Sequence, residues 1–364
     1  MKLKKYYKYC LALCILLLVV VLTILANTNI QLFKFNKKTT NKFKEIDMAL
    51  IVTNKTNSEE RNQLTESLDE CGDKYDKSYG IFETSNYGGS YSDTISAAAK
   101  HGANLIVCPD SSFEETIYTI QNSYTDVYFL LVDGYPHNTD YSDSTINFNV
   151  IPLVFDDAEA GFLAGYAAAY DGNKKISFIG LEDDTQSIRY FYGFLQGTDY
   201  AANELNVNDI KITVDYISSD NCTETANNRH MSGADLIVGC KNSVIKPLIE
   251  ISKTHEKNII ICGDNQPPES PYIIANTTKN LYYAATDCIS NFYDGEKIGG
   301  TIQRYNASQN AIALSFKSAD FTHFDSKIYD SIYLQLSSGE IQLISDTTIT
   351  PSDLELTNVT IVIS

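Results

Sequence analysis

The chain has 364 residues, a formal net charge of −18, 43% hydrophobic and 20% charged residues, and no Trp. That acidity argues against a nucleic-acid binder, because phosphate contacts need Lys and Arg. The hydrophobic content argues against a disordered chain, and the length suffices for one large domain or two lobes.

Charge is unevenly placed. Residues 1–44 hold nine Lys and no acid, which leaves 19 basic and 46 acidic residues over 45–364, a net of −27. The basic end carries the uncharged run Cys10 to Ala26, preceded by Lys2, Lys4, Lys5 and Lys8. This pattern reads as a secretory signal or an uncleaved signal-anchor. A single-span transmembrane anchor with the N-terminus inside is the expectation, with residues 1–44 as anchor and basic linker.

Beyond it, short apolar runs recur at 48–53, 103–108, 127–132, 175–180, 210–215, 234–239, 258–263 and 311–316. Several are apolar continuously rather than alternately, as strands of a parallel sheet covered on both faces would be. Helical patterns separate them. Arg61 to Cys71 sets Leu64, Leu68 and Cys71 on one face. Ser92 to Lys100 stops before Gly102, and Asp157 to Tyr170 carries a small-residue face and stops before Gly172. Strand–helix alternation predicts an α/β fold with right-handed crossovers. Proline-punctuated interruptions near 147–156 and 263–271, and a third near 299–310, predict crossings between two lobes. Lobe 1 is expected over 45–150, completed by part of 270–310. Lobe 2 is expected over 151–268, completed by part of 310–345, with a tail strand in 346–364.

Catalytic and metal signatures are absent from the sequence. His101, His137, His230, His255 and His323 are scattered, and no G-x-S-x-G, P-loop or H-E-x-x-H occurs. The cysteines form no C-x-x-C pair, so no zinc or redox site is expected. The reading is a protein that is not an enzyme and that needs no cofactor or metal.

Three segments form an ordered set: Glu159-Ala-Gly-Phe-Leu-Ala-Gly165, Lys174-Lys-Ile-Ser-Phe-Ile-Gly180, and Ile188-Arg-Tyr-Phe-Tyr-Gly-Phe-Leu-Gln-Gly197. With Ser232-Gly-Ala-Asp-Leu-Ile-Val-Gly239 and Ser337-Ser-Gly-Glu-Ile341, they resemble the basic membrane protein (PnrA-like) family of ABC-transporter solute-binding proteins. The resemblance runs over roughly 46 to 345. It implies a two-lobed, type I periplasmic-binding-protein-like fold, parallel sheets flanked by helices, and an extracytoplasmic protein that hands a small polar solute to an ABC permease. The family's better-known members bind purine nucleosides. The alternative is a membrane-anchored ligand sensor with a divergent pocket.

Carried over position by position, the resemblance makes Asp133, Asp264 and Lys279 ligand-binding candidates, with Asn265 competing with Asp264 for the same match. Asn54 stands where the family has an Asp, and Arg61 where it has a ring that stacks on the base. Tyr135, just past Asp133, is a further candidate. Carboxylates that accept protons from two vicinal hydroxyls, a Lys that balances their charge, and an aromatic face are what such a solute needs. The expected location is the cell membrane, with the soluble body on its outer side.

Overall fold

In the computed structural model, the described residues are 45–363 except 183, 264, 265, 346 and 347. The expected N-terminal span therefore lies outside them, as does Asp264. Among the described residues no helix is long and apolar enough to cross a membrane.

The first half opens with β1 (Met48–Val52), apolar and buried at every residue. Helix α1 (Ser58–Tyr75) follows, started by a capping box in which Asn57 and Glu60 bond each other's backbone N–H. Then come β2 (Tyr79–Glu83), α2 (Tyr91–Lys100), β3 (Leu105–Cys108), α3 (Glu114–Ile120), β4 (Tyr128–Val132) and β5 (Val150–Phe155). The second half runs α4 (Asp157–Tyr170), β6 (Lys175–Leu181), α5 (Thr185–Leu205), β7 (Ile210–Ile217), α6 (Cys222–Met231), β8 (Leu236–Cys240), α7 (Asn242–His255), β9 (Ile259–Cys262) and β10 (Ile273–Lys279). Last are α8 (Leu281–Tyr293), β11 (Gln303–Tyr305), β12 (Ile312–Phe316), α9 (Ser326–Ser337) and β13 (Val359–Ile363).

Two sheets result. One has the order β11-β5-β4-β3-β1-β2 and the other β12-β10-β9-β8-β6-β7-β13. Every pairing in the first is parallel. In the second only β10 with β12 is antiparallel. Parallel neighbours need a crossover; helices supply most of them, while β4–β5 and β9–β10 are joined by segments without a helix.

The chain leaves the first sheet after Phe155 and returns to that side after Lys279. There α8 docks on α1, with Tyr282 N–H donating to Gln63 Oε1 at 3.1 Å and Ser67 Oγ to the Tyr282 carbonyl at 3.2 Å. It passes again to the second sheet after Tyr305. The proline-rich stretch 263–271, expected as a crossing, instead joins β9 to its parallel neighbour β10 within the second sheet. The misleading feature is β10 itself. Its Ile-Ile-Ala-Asn-Thr-Thr-Lys sequence turns polar halfway, because its end enters the site rather than the core.

Helix α4 is buried on every side, from Asp157 to Ala169, apart from Glu159. Its closeness to α5 explains the glycines of both. A methyl group on Gly161 would collide with the Tyr190 carbonyl, and one on Gly165 with that of Phe194. Gly193 and Gly197 meet the carbonyls of Ala158 and Phe162 in the same way. These glycines serve backbone contact between helices, since only a hydrogen fits. Around this pair pack Phe162, Phe178, Phe191 and Phe194, all fully buried. Cys71, Cys108, Cys222, Cys240, Cys262 and Cys288 are buried free thiols.

Gly193→Ala is expected to cost roughly 3 kcal/mol, as an overpacked core site does, read as a lower urea midpoint. Gly339→Ala, at φ 77 in open space, should cost only about 1 kcal/mol of backbone strain.

Candidate ligand site

In an open parallel sheet the loops at the carboxyl ends of the strands form the crevice. Asp133 follows β4 there, at φ 55, its N–H fixed to the Leu153 carbonyl at 2.7 Å. Lys279 ends β10 of the other sheet. The two meet: Lys279 Nζ lies 3.0 and 2.8 Å from the two carboxylate oxygens of Asp133. The ammonium also lies 2.8 Å from Asp157 Oδ1. Its side chain is 10% exposed, Asp157's is 0% and Asp133's is 27%. Below the ammonium lie the rings of Phe155 and Tyr190, with centroids 5.3 and 5.8 Å away, within cation–π range.

Asp157 is placed by helix capping. Asp156 takes the N-cap role, accepting the Glu159 N–H at 3.1 Å, which frees the next acid to turn inward. Its second oxygen takes Arg189 of α5, through Nε at 3.0 Å and Nη2 at 2.8 Å. Gln186 Nε2 donates to Asp157 Oδ1 at 3.1 Å. Lys241 donates to the Gln186 amide oxygen and lies 3.5 Å from Asp184, the α5 cap. Lys241 sits at φ 84, a conformation ordinarily left to glycine. Charges thus alternate from Asp133 through Lys279, Asp157 and Arg189.

That alternation sets the protonation states. Burial alone would raise the pKa of Asp157, but Lys279 and Arg189 hold it well below the usual carboxylate range. Burial opposes the charge on Lys279, and Asp133 and Asp157 reverse that and raise its pKa. Burial also opposes the charge on Arg189. Asp157 overcomes it, with smaller help from Asp133.

The remaining expected residues divide. Tyr135 is half-buried, and its N–H donates to Glu114 Oε1 at 3.1 Å. Asn54 is exposed and lines a concavity of about 540 Å3 with Thr84, Ser85, Ser90 and Tyr91. Arg61 bonds Glu83 at 3.2 Å, with both side chains more than 40% exposed. Asp157, Arg189, Gln186 and Lys241 were missed from the sequence. A doubled acid at a helix start and a lone Arg in the aromatic run 188–195 were the available signals.

This constellation, a charged knot at the carboxyl ends of two parallel sheets, can be compared with known proteins. A family model described as ABC transporter substrate-binding protein, PnrA-like (Bmp), matches residues 57–349. The chain belongs to this family. Its members are classed as solute-binding proteins rather than enzymes. Among relatives, the chain is 24% identical over 260 residues to the ABC transporter nucleoside-binding protein BmpA of Lactococcus lactis subsp. cremoris, covering 66% of this chain and 71% of that one. It is 25% identical over 232 residues to basic membrane protein A2 of Borrelia garinii subsp. bavariensis, covering 61% and 66%. A solute-binding protein of an ABC transporter system from Aeropyrum pernix K1 superposes with a TM-score of 0.63 at 14% identity, over 82% of this chain and 94% of that one. At that identity the likeness shows the fold.

Lys279→Met leaves Asp157 buried beside one cation instead of two and should cost roughly 3 to 5 kcal/mol, measured by urea unfolding at neutral pH. Glu159 offers a pH test. Burial, with the nearby Asp156 charge, lifts its pKa from 4.5 to about 7, against the Ala307 N–H that it accepts at 2.7 Å. The folded chain then holds the extra proton between those values, so stability falls as pH rises from 4.5 to about 7. Glu159→Gln should remove that decline, seen by comparing unfolding midpoints of both proteins at acid and neutral pH.

Proposed function

We propose that this chain is the solute-binding component of an ABC transporter, held at the outer face of the cell membrane by its N-terminal segment, and that it captures a nucleoside. One observation carries the reading: a buried lysine links a carboxylate from each half of the molecule where the strands of both sheets end. Family membership and the nucleoside-binding name of the Lactococcus relative support the ligand class.

Asp133 keeps lone pairs beyond those that face Lys279 and is the more exposed of the two carboxylates. A ribose offers two vicinal hydroxyls that a single carboxylate can accept together. Lys279 keeps the balancing charge in place, so burying Asp133 under a ligand does not strand an anion. The segments after Phe155, Lys279 and Tyr305 serve as hinges, and closure is driven by the ligand's stronger contacts in the closed state. Anchoring keeps the loaded protein near its permease and raises the effective concentration of the pair.

Calorimetric titration with adenosine, guanosine and uridine tests this reading. Saturable binding of at least one is expected. Asp133→Ala should weaken it roughly 100-fold or more, as the loss of two hydrogen bonds to a charged group implies. Absence of binding by every nucleoside, or an unchanged affinity in Asp133→Ala, would sink the proposal.

A further inference from the structure

Asp133 meets Lys279 from a backbone at φ 55, in the left-handed region where few residues other than glycine rest. Two contacts hold that turn. On one side the Asp133 N–H donates to the Leu153 carbonyl at 2.7 Å. On the other stands Glu114, the first residue of α3, whose Oε1 accepts the Tyr135 N–H at 3.1 Å. The same side chain occupies the space beside Gly134. A methyl group on Gly134 would come within 2.5 Å of Glu114 Oε1 and 2.8 Å of its Cγ. Gly134 is not in the left-handed region, so its missing side chain serves to make room for Glu114.

Glu114 is itself secured. Its Oε2 lies 3.2 Å from His137 Nε2, and His137 Nδ1 lies 2.7 Å from the Asn138 carbonyl. A carbonyl only accepts, so Nδ1 carries a hydrogen. In a neutral ring Nε2 would then turn a lone pair toward a carboxylate, and neither could donate. The contact therefore holds one further proton, on Nε2 or on the carboxyl group. Little water competes for it. His137 is 3% exposed, the Glu114 side chain is 18% exposed, and the Tyr141 ring stacks on the imidazole with centroids 3.8 Å apart. Burial pushes the Glu114 carboxyl up, against the pull of the Tyr135 N–H and of His137.

Tyr135, His137 and Asn138 all lie on the segment that begins at Asp133. One carboxylate from the neighbouring strand's loop thus gathers that segment around the turn. We propose that Glu114, secured by His137, is a positioning residue of the ligand site, setting the turn 133–135 so that the Asp133 carboxylate is aimed before the ligand arrives. The proposal rests on the nucleoside reading and adds to it the residue that pre-forms the acceptor. A carboxylate already in place spares the ligand the cost of ordering that turn.

Calorimetry with adenosine, guanosine and uridine, together with hydrogen exchange of the unliganded protein, tests it. Glu114→Ala should weaken nucleoside binding roughly tenfold, the scale of one hydrogen bond to a charged group. It should also speed exchange of the Asp133 amide, whose own bond to Leu153 the substitution leaves untouched. Glu114→Gln keeps an acceptor for the Tyr135 N–H and can donate to a neutral Nε2, so it should bind as the wild type does. Gly134→Ala should weaken binding by displacing Glu114, and should do little more in Glu114→Ala, where the space is free. Unchanged affinity in Glu114→Ala, equal weakening by Glu114→Ala and Glu114→Gln, or the same loss from Gly134→Ala in both backgrounds would overturn the positioning role and leave capture through Asp133 standing. If the wild type binds no nucleoside, exchange decides. An Asp133 amide unchanged by Glu114→Ala overturns the positioning role as well, whereas a faster one supports it and overturns only the nucleoside reading.

Discussion

An ammonium group almost without water, placed between two carboxylates, is the constraint on which the rest of this molecule turns. Lys279 leaves the second sheet and finds Asp133 from the first and Asp157 from the helix that enters the second half. A lone charge there would cost several kcal/mol of desolvation. Each partner is therefore needed by the others, and Arg189 extends the same logic to the far oxygen of Asp157. The arrangement contributes little net stability over an apolar core of equal shape. What it contributes is a fixed meeting point for the two halves.

The framework and the site are one construction. Asp157 is the first residue of α4, and Gln186 and Arg189 lie on α5. Those helices touch backbone to backbone through Gly161, Gly165, Gly193 and Gly197. A helix pair that close cannot slide without carbonyl collisions, so the carboxylate and its guanidinium are held in register by glycines one and two turns away. The most specific family motifs in the chain are these glycine-bearing helices. They carry Asp157 and Arg189 of the charged knot, and their glycines, which contribute no charge, set the spacing between them.

Much of the architecture was legible because buried parallel strands are apolar without interruption. All eight runs read as strands became strands, and helix α4 was read to its last residue. The stretch 147–156, read as an interruption because of Pro152, holds β5, apolar and buried at every residue, and strands that carry polar residues also escaped. β2 is half-exposed throughout, β11 has three residues, and β10 ends in the site. Asp133 and Lys279 were reached through resemblance, and the ion pair joins them. Asp157 and Arg189 were not reached. An acid at the start of a helix has an ordinary explanation as a cap, and only the coordinates show that Asp156 already fills that role. Arg61 was also reached through resemblance. Its guanidinium pairs with Glu83, with both side chains more than 40% exposed.

The thiols point to one further property. Burial raises the pKa of Cys71, Cys108 and Cys262, lifts Cys222 to about 11, and lifts Cys240 and Cys288 to about 12. Only the thiolate reacts with oxidants and alkylating agents. Among the described residues the folded chain therefore holds six buried, unpaired thiols in their protonated, less reactive form. They are spread over both sheets and the helices between them. Their labelling rates, followed one by one, would map which parts of the molecule breathe.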